Sequence, residues 1–240
     1  MVCGIASAGG RWLDRGVAIF RDLECWIDPV ARDGPHAMAV DEWLCGLVEV
    51  PLLRVYRWDG AWASVGYFGR LADAEARVDC PDWVRRITGG GVVDHRADWT
   101  YSLVIPKDDP VAARRGAASY RTIHEVLAGV LREEGLRCRL SSGEAVAGEA
   151  LCFANPVDHD VVGDGGVKIA GAGQRRSRRA LLHQGSVALP AEGRASETRA
   201  RALAGALASR VREVGIRPDD DVVERLVAAR YGNAAWLRRR

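Results

Sequence analysis

Residues 85–95 read RRITGGGVVDH, with three consecutive glycines between strand-like segments. Glycine allows the backbone to approach a ligand closely, and successive N–H groups can then point at a phosphate or carbonyl oxygen. The stretch is not a Walker loop, because no Gly-Lys-Ser/Thr follows it, and no βαβ unit surrounds it as in a Rossmann fold. It predicts a turn that either only redirects the chain or also lines a ligand site.

Strands are predicted on both sides of this glycine loop. Apolar segments bounded by turn residues mark them at 52–58, 63–68, 84–87, 100–105, 136–140, 159–162, 167–170 and 181–189. Helical spacing of apolar residues predicts a helix between Pro35 and Pro51, one over 118–135, and two after Ser196. We expect 52–58 and 63–68 to form one hairpin, and 159–162 and 167–170 to form another. His124, on helix 118–135, is expected at the surface.

This order of elements indicates an α+β protein with a mixed, mostly antiparallel sheet flanked by helices, because strands and helices do not alternate strictly. The length of 240 residues suits one large domain, with or without a small appendage. We expect a main domain over residues 1–190 and a helical extension over residues 191–240 that packs on the same domain.

The composition argues against several classes of protein. The formal net charge is only +2, and no basic stripe with interleaved aromatic residues occurs, so no nucleic-acid partner is expected. No stretch approaches the ~20 apolar residues that span a bilayer, and the N-terminus lacks a signal-peptide pattern. The six cysteines form no CxxC pair. We therefore expect a cytoplasmic protein with reduced thiols and no membrane association.

Lysine is rare in this chain. Of the 34 Lys and Arg residues, only Lys107 and Lys168 are lysines. Arg stays protonated in proteins, whereas a Lys amine in an apolar site can lose its proton and act as a base or nucleophile. Lys107 lies in a turn rich in Pro and Asp, but Lys168 lies in the glycine-flanked apolar run GGVKIAG at 165–171. Lys168 is therefore the candidate catalytic lysine.

Cys152 begins the segment CFANP shortly before Lys168. If strands 159–162 and 167–170 pair, Lys168 lies close to the loop that holds this cysteine. A neighbouring cation favours the thiolate, and a neutral amine can accept the thiol proton. Cys152 is therefore the candidate nucleophile, with a buried structural thiol as the alternative. No metal site is expected, because His159 and Asp160 lack a third ligand at a suitable spacing.

Taken together, these segments resemble the lipoate/octanoate transferase and lipoate-protein ligase family, whose catalytic domain is shared with biotin protein ligases. The resemblance runs in order through RRITGGG with His95, TYS at 100–102, GVKIAG with Gln174 and Arg175, and HQGS at 183–186. It implies a biotin/lipoate ligase-like, class II synthetase-like catalytic domain over the main part of the chain.

The resemblance also implies roles for individual residues. Lys168 is implied to contact the acyl carbonyl, and Cys152 to carry the acyl group. The chain departs from the family pattern at His159, Val167 and Gln184. Substrate contacts are implied for a larger set, comprising Arg86, Thr88, Gly89, Gly90, Gly91, His95, Gly171, Ala172, His183 and Gly185.

The segment CFANP resembles the cysteine-dependent branch of the family, which implies an octanoyltransferase. Such an enzyme takes the octanoyl group from acyl carrier protein onto Cys152 and passes it to the lysine of a lipoyl domain or glycine-cleavage H protein, without a cofactor. The alternatives are a ligase that uses ATP and Mg and acts through lipoyl-AMP, a lipoyl amidotransferase, and a non-catalytic protein that binds lipoyl domains or acyl groups. Both protein partners are expected to be acidic, so exposed arginines are candidates for steering them, namely Arg175, Arg176, Arg178 and Arg179.

Overall fold

The strands provide most of the framework. The computed structural model describes residues 18–114, 117–143, 157–190 and 193–239. Within these ranges the strands are β1 (Phe20–Ile27), β2 (Leu52–Tyr56), β3 (Trp62–Val65), β4 (Asp82–Arg85), β5 (Val92–Asp94), β6 (Trp99–Pro106), β7 (Arg139–Leu140), β8 (Val161–Val162), β9 (Lys168–Arg176), β10 (Ala180–Val187) and β11 (Ala208–Glu213).

Eight of these strands form one sheet in the order β11-β1-β2-β6-β10-β9-β8-β7. Strand β1 runs parallel to β11 and β2, and the other neighbouring strands are antiparallel. The predicted mixed, mostly antiparallel sheet is therefore confirmed. The predicted hairpin around Lys168 is also present, because β8 pairs antiparallel with β9 through Val161 and Ala170.

A second, smaller sheet contains three strands in the order β4-β3-β5. Strand β3 lies parallel to β4 and antiparallel to β5, whose N-terminus follows the glycine loop. The predicted hairpin of 52–58 with 63–68 is therefore wrong, because β2 pairs with β1 and β6 in the large sheet. A local pattern of apolar residues identified both strands but could not identify their distant partners.

The helices cover both faces of the large sheet. They are α1 (Gly34–Leu44), α2 (Leu71–Glu75), α3 (Pro110–Ala113), α4 (Ala118–Glu133), α5 (Gly193–Leu207), α6 (Asp220–Leu226) and α7 (Ala234–Leu237), with a 3-10 turn at Asp164–Gly166 and a π-helical turn at Val227–Tyr231. None of the helices within the described ranges has the length and apolarity that a membrane crossing requires.

Alternating side chains of the central strands divide the core into two layers. Leu103 and Leu181 pack with α4 and α5 on one face of the large sheet. Val104 and Leu182 pack on the other face, with α1 and the C-terminal helical turns. This period-two alternation is the expected geometry of a strand buried on both sides.

A buried ion-pair network fixes α1 to the sheet. Arg54 of β2 donates to Asp41 of α1 at 2.7 Å and to Asp28 at 2.9 Å, and all three side chains are fully buried. Removing one partner of such a pair leaves an uncompensated charge in the interior, which is strongly destabilising. The network therefore sets the position of α1 relative to β2.

The C-terminal segment is only partly as predicted. Helices α5 and α6 are present, but β11 lies between them and extends the large sheet through its parallel pairing with β1. Within the helical extension expected over 191–240, residues 208–213 therefore form a strand that the sequence analysis did not predict. Alternating charged residues mark β11 as an exposed edge strand, and that pattern is easily taken for a solvated helix.

The glycine loop makes unusually close backbone contacts. A Cβ atom on Gly66 would lie 2.0 Å from the carbonyl oxygen of Gly90. A Cβ atom on Gly173 of β9 would lie 2.3 Å from the carbonyl oxygen of Gly89. Gly90 itself adopts φ +94°, a conformation that residues with a side chain rarely take. The loop therefore fits between the small and the large sheet only because these positions lack side chains.

We expect Gly173→Ala to lower the free energy of unfolding by ~1–3 kcal/mol, because the new methyl group would clash with backbone. Gly129 of α4 is the matched control, since nothing lies within 4 Å of an added Cβ there. Gly129→Ala should raise the free energy of unfolding by about 0.4–1 kcal/mol, because alanine lowers the backbone entropy of the unfolded chain. Chemical denaturation measures both. Equal effects of the two substitutions would contradict the close approach.

Candidate functional site

A cavity of about 280 Å³ lies beside the glycine loop, where β9 and β10 pass beneath it. Its size is near the lower end of the ~300–1,000 Å³ typical of small-molecule pockets. Eight of the predicted site residues line it, namely Lys168, Arg86, Gly90, Gly91, His95, Gly171, Ala172 and Gly185. A larger and more open depression of about 790 Å³ next to β7 and β8 contains none of the predicted site residues.

Lys168 reaches this cavity from the first position of β9. Its Nζ lies 2.8 Å from Oδ2 of Asp160, whose side chain is fully buried, while 17% of the Lys168 side chain is exposed. A Cβ on Gly171 would lie 2.4 Å from Nζ, so the glycine leaves the space that the ammonium occupies. The lysine is therefore held by a buried carboxylate at the edge of a narrow pocket.

Asp160 is itself fixed by further hydrogen bonds. The hydroxyl group of Tyr120 on α4 donates to Oδ1, and the backbone N–H of Val157 donates to Oδ2 at 2.9 Å. The Tyr120 hydroxyl also accepts from the backbone N–H of Ala172 at 2.9 Å. Strand β8 is too short to reach this N–H, so Tyr120 takes the place of a strand partner. The Lys168–Asp160 pair is thereby tied both to α4 and to the cavity wall.

Sequence reasoning missed the roles of Asp160 and Tyr120. On the sequence alone, Asp160 is considered only with His159 as a possible metal site, and Tyr120 lies without special mark in the predicted helix 118–135. A signal was available, since Asp160 is the acidic residue on the strand pair that also holds Lys168. No group of three His, Cys, Asp or Glu side chains suited to a metal ion occurs within the described ranges.

Arg86 stabilises the glycine loop from inside. Its Nη2 donates to the carbonyl oxygens of Gly89 and Gly91 at 3.2 and 3.0 Å. Its Nη1 donates to Oγ of Ser64 at 2.6 Å. The guanidinium thus links two carbonyl groups of the loop to Ser64 of β3.

His95 lies in a chain of hydrogen bonds with the order of a Ser-His-Asp triad. Ser64 Oγ is 2.6 Å from Nε2, and Asp98 Oδ2 is 2.8 Å from Nδ1. Ser64 Oγ also accepts from Nη1 of Arg86 at 2.6 Å. Ser64 is fully buried and does not line the cavity. This chain therefore orients His95, which stacks on Trp58 at 4.0 Å, and does not present a serine nucleophile.

The comparisons with known proteins identify the family of this chain. A family profile described as the lipoyl protein ligase A/B catalytic domain matches residues 33–214, most of the chain and every part of the cavity described above. The chain belongs to this lipoyl protein ligase A/B family. The family resemblance inferred from the glycine loop and the lysine motif is therefore confirmed.

Relatives within the family carry the name octanoyltransferase LipM. The protein of Clostridioides difficile is 34% identical over 169 residues, covering 65% of this chain and 62% of the relative. The protein of Kyrpidia tusciae is 35% identical over 150 residues, covering 58% and 54%. The protein of Moorella thermoacetica is 34% identical over 186 residues, covering 71% and 67%. The chain thus matches less than two thirds of the length of the first two relatives.

Solved structures of the family show the same fold. A bi-partite lipoate protein ligase from Thermoplasma acidophilum superimposes with a TM-score of 0.67 at 19% identity, covering 90% of this chain and 96% of that one. A lipoate-protein ligase A bound with ATP gives 0.64 at 21% identity, covering 90% and 97%. The α+β fold predicted from the sequence is therefore that of the lipoate protein ligases.

Three predicted contact residues of the family motifs lie outside the cavity lining. Thr88 is buried and donates to Oε1 of Gln184 at 2.7 Å, and Gln184 in turn donates to Asp41 at 2.8 Å. Gly89 packs against Gly173 on the side of the large sheet. His183 points to the opposite face of β10, so its neighbour Gln184 lines the cavity in its place.

His183 belongs to a buried polar cluster beneath β9. Its ring nitrogens bond Gln174 at 3.0 Å and the Tyr101 hydroxyl at 3.1 Å. Burial lowers the pKa of His183 well below its usual range. The ring is therefore neutral, with the Nε2 proton donated to Tyr101, because the Gln174 amide donates to Nδ1. The cluster holds β9 and β10 together rather than contacting a ligand in the cavity.

His124 is fully buried, so its predicted surface position is wrong. Burial lowers its pKa to about 4, which leaves the ring neutral near pH 7. Nδ1–H donates to the carbonyl oxygen of His159 at 2.7 Å, and His159 adopts φ +69°. His124 therefore supports the strained turn that immediately precedes Asp160.

Cys152 lies outside the described residues, so its predicted role stays a prediction. The cysteines that the structure does describe are Cys25, Cys45, Cys80 and Cys138, all free thiols away from the cavity lining. Burial raises the pKa of Cys25 to about 11 and also raises the pKa of the other three. None of these four thiols is activated as a nucleophile.

We expect Asp160→Asn to lower the free energy of unfolding by ~1–3 kcal/mol, because an amide cannot pair with the Lys168 ammonium or accept at both oxygens. Asp164→Asn is the matched control, since Asp164 forms an exposed pair with Arg137. Its effect should stay within about 0.5 kcal/mol. Denaturant titration of both variants decides the question, and equal stabilities would contradict a structural role for the buried pair.

Proposed function

We propose that this protein is an octanoyltransferase that moves an octanoyl group through a cysteine thioester to the lysine of a lipoyl domain. One observation carries the proposal: an ammonium group, fixed by a buried carboxylate, faces a narrow cavity lined by glycine backbone. Relatives named octanoyltransferase LipM support the choice of acyl group. The proposed donor is acyl carrier protein, and no cofactor is required.

The cavity suits a linear acyl chain. Its apolar walls come from Met38, Tyr56, Trp58 and Val92, while Lys168 lies among the polar lining residues. Burial of an apolar chain against such walls contributes roughly 0.8 kcal/mol per CH₂ group. The carbonyl end of the chain then lies toward Lys168. Val92 contributes to this lining from β5.

The proposed reaction has two steps. The Cys152 thiolate attacks the donor thioester carbon, the carbon–sulfur bond to the donor breaks, and the donor leaves as a thiol with the proton that Cys152 lost. The acceptor lysine amine then attacks the octanoyl-cysteine, which forms the amide and returns a proton to the Cys152 sulfur. Each step passes through a tetrahedral oxyanion that a fixed cation stabilises strongly in a water-poor site.

Lys168 acts in this mechanism as a cation and not as a base. Its Nζ lies 2.8 Å from Oδ2 of the fully buried Asp160, an arrangement typical of an ion pair. Asp160 in turn has its charge balanced by Lys168 and by hydrogen bonds from Tyr120 and Val157. The geometry therefore favours stabilisation of the oxyanion over the proton-transfer role considered from the sequence.

Cys152 is supported as the nucleophile by its place in the sequence. It precedes Val157, a residue of the cavity lining, by five positions. The four cysteines that the structure describes are poorly suited, because burial favours their neutral thiol form. Cys152 is also part of the CFANP segment, which resembles the cysteine-dependent branch of the family.

Intact-mass spectrometry tests the proposal. Incubation with octanoyl-acyl carrier protein should add the mass of one octanoyl group, and a lipoyl domain should then remove it. Cys152→Ser should abolish the added mass, whereas the matched control Cys138→Ser should retain it. If acylation instead requires free lipoate and ATP and persists in Cys152→Ser, the protein is a ligase and the proposal is wrong.

A further inference from the structure

An exposed aromatic and basic patch borders the glycine loop. It consists of Tyr67, Phe68, Arg175 and Arg239, and is called the Tyr67 patch below. Phe68 is 85% exposed, the highest value among the exposed large hydrophobic residues that the structure describes. Its ring meets Tyr67 edge-on at 4.9 Å. Tyr67 is half-buried, so the Phe68 ring is the apolar part of the patch that is open to a partner.

Two guanidinium groups lie over the ring of Tyr67. The centroid distances are 4.0 Å for Arg239 and 5.1 Å for Arg175. Hydrogen bonding from Arg239, helped by the charge of Arg239 and by Arg175, lowers the pKa of the Tyr67 hydroxyl. The phenol therefore lies in a markedly positive local field.

No carboxylate among the described residues forms an ion pair with Arg175 or Arg239. The Tyr67 patch thus combines the exposed Phe68 ring with two guanidinium groups that pair with no carboxylate of the described residues. Positive charge beside exposed aromatic groups is complementary to the acidic face of a protein partner.

The patch is held rigidly by a buried arginine. Arg85 donates to the carbonyl oxygens of Gly66, Tyr67 and Gly69 on one side. On the other side it donates to the carbonyl oxygens of Trp236, Leu237 and Arg239. One guanidinium therefore fixes both chain segments of the patch relative to each other, so little ordering is needed when a partner binds.

The patch lies beside the cavity and not directly over it. The N–H of Tyr67 donates to the Thr88 carbonyl at 2.8 Å, and Arg175 donates to the Ile87 carbonyl at 3.2 Å. On β9, Gly173 lines the cavity two residues before Arg175. A protein seated on the patch is therefore separated from Lys168 by the width of the glycine loop.

We propose that the Tyr67 patch docks the acidic face of the protein that donates the acyl group, carried on a long flexible thioester arm. The arm crosses the glycine loop and delivers the thioester into the cavity. A lysine acceptor has a much shorter side chain, so its protein must sit over the cavity mouth itself. The identity of the docked protein rests on the proposed function. The binding of that protein to the patch can be measured without any acyl transfer.

Acylation rates with two donors test the inference. One donor is octanoyl-acyl carrier protein, and the other is octanoyl-pantetheine, which has the arm but no protein. The variants are Phe68→Ser and Arg175→Glu with Arg239→Glu. We expect kcat/KM for acylation by the carrier protein to fall at least tenfold, which corresponds to about 1.4 kcal/mol. The rate with octanoyl-pantetheine should stay within about twofold of wild type, as expected when only the encounter with a protein changes.

Matched controls come from the far edge of the sheet. Val211→Ser removes another exposed apolar side chain, and Arg217→Glu reverses an exposed charge that follows β11. Both controls should behave like wild type with either donor. Fluorescence anisotropy should also show weaker binding of unacylated carrier protein to the patch variants, and this readout needs no reaction.

Several outcomes would overturn the inference. Equal losses of kcat/KM with both donors would mean that the substitutions disturb the cavity and not the docking of a protein. A loss confined to transfer onto the lipoyl domain would assign the patch to the acceptor. Unchanged rates and unchanged anisotropy would remove any docking role. If wild-type protein is never acylated but still binds carrier protein through the patch, the proposed chemistry fails while the docking inference stands.

Discussion

The close approach of backbone to backbone at the glycine loop is the constraint on which the site depends. Gly66 meets Gly90, and Gly173 meets Gly89, at distances that leave no room for a side chain. Arg86 then bonds the loop carbonyls from within, and Thr88 links the loop through Gln184 to the buried Asp41. Because these contacts join the small sheet to the large one, the loop can form a wall of the cavity opposite β9.

Much of the fold was predictable from the sequence, because it follows local periodicity. The amphipathic stripe of α4, the paired strands around Lys168 and the mixed sheet all appear as expected. The errors concern pairing over long distances in the chain. The local sequence does not determine that β2 pairs with β1 and β6. It also does not determine that the charged segment 208–213 forms an edge strand beside β1. These choices are made by tertiary packing, which overrides local propensity.

For the site, too, some features were predictable from the local sequence and others depend on tertiary packing. Lys168 stood out because it is one of only two lysines, and the glycines stood out because they are consecutive. Asp160 and Tyr120, which hold the lysine in place, are not conspicuous in the sequence, because neither residue is rare or part of an unusual run. His183 and Gln184 differ by one position on β10, and strand alternation sends only Gln184 to the cavity. Which face a strand presents to a ligand is decided by the layers packed on it, and these are visible only in three dimensions.

In the proposed octanoyl-enzyme the acyl carbonyl lies against Lys168 inside the cavity. The scarcity of lysine allows a direct measurement, because an amine-reactive reagent can label only Lys168, Lys107 and the N-terminus. Peptide mapping after labelling of the octanoyl-loaded and unloaded protein compares the two lysines. We expect loading to slow the labelling of Lys168, whereas Lys107, with 59% of its side chain exposed, should be labelled at an unchanged rate. Labelling of Lys168 that is indifferent to the acyl group would contradict this expectation.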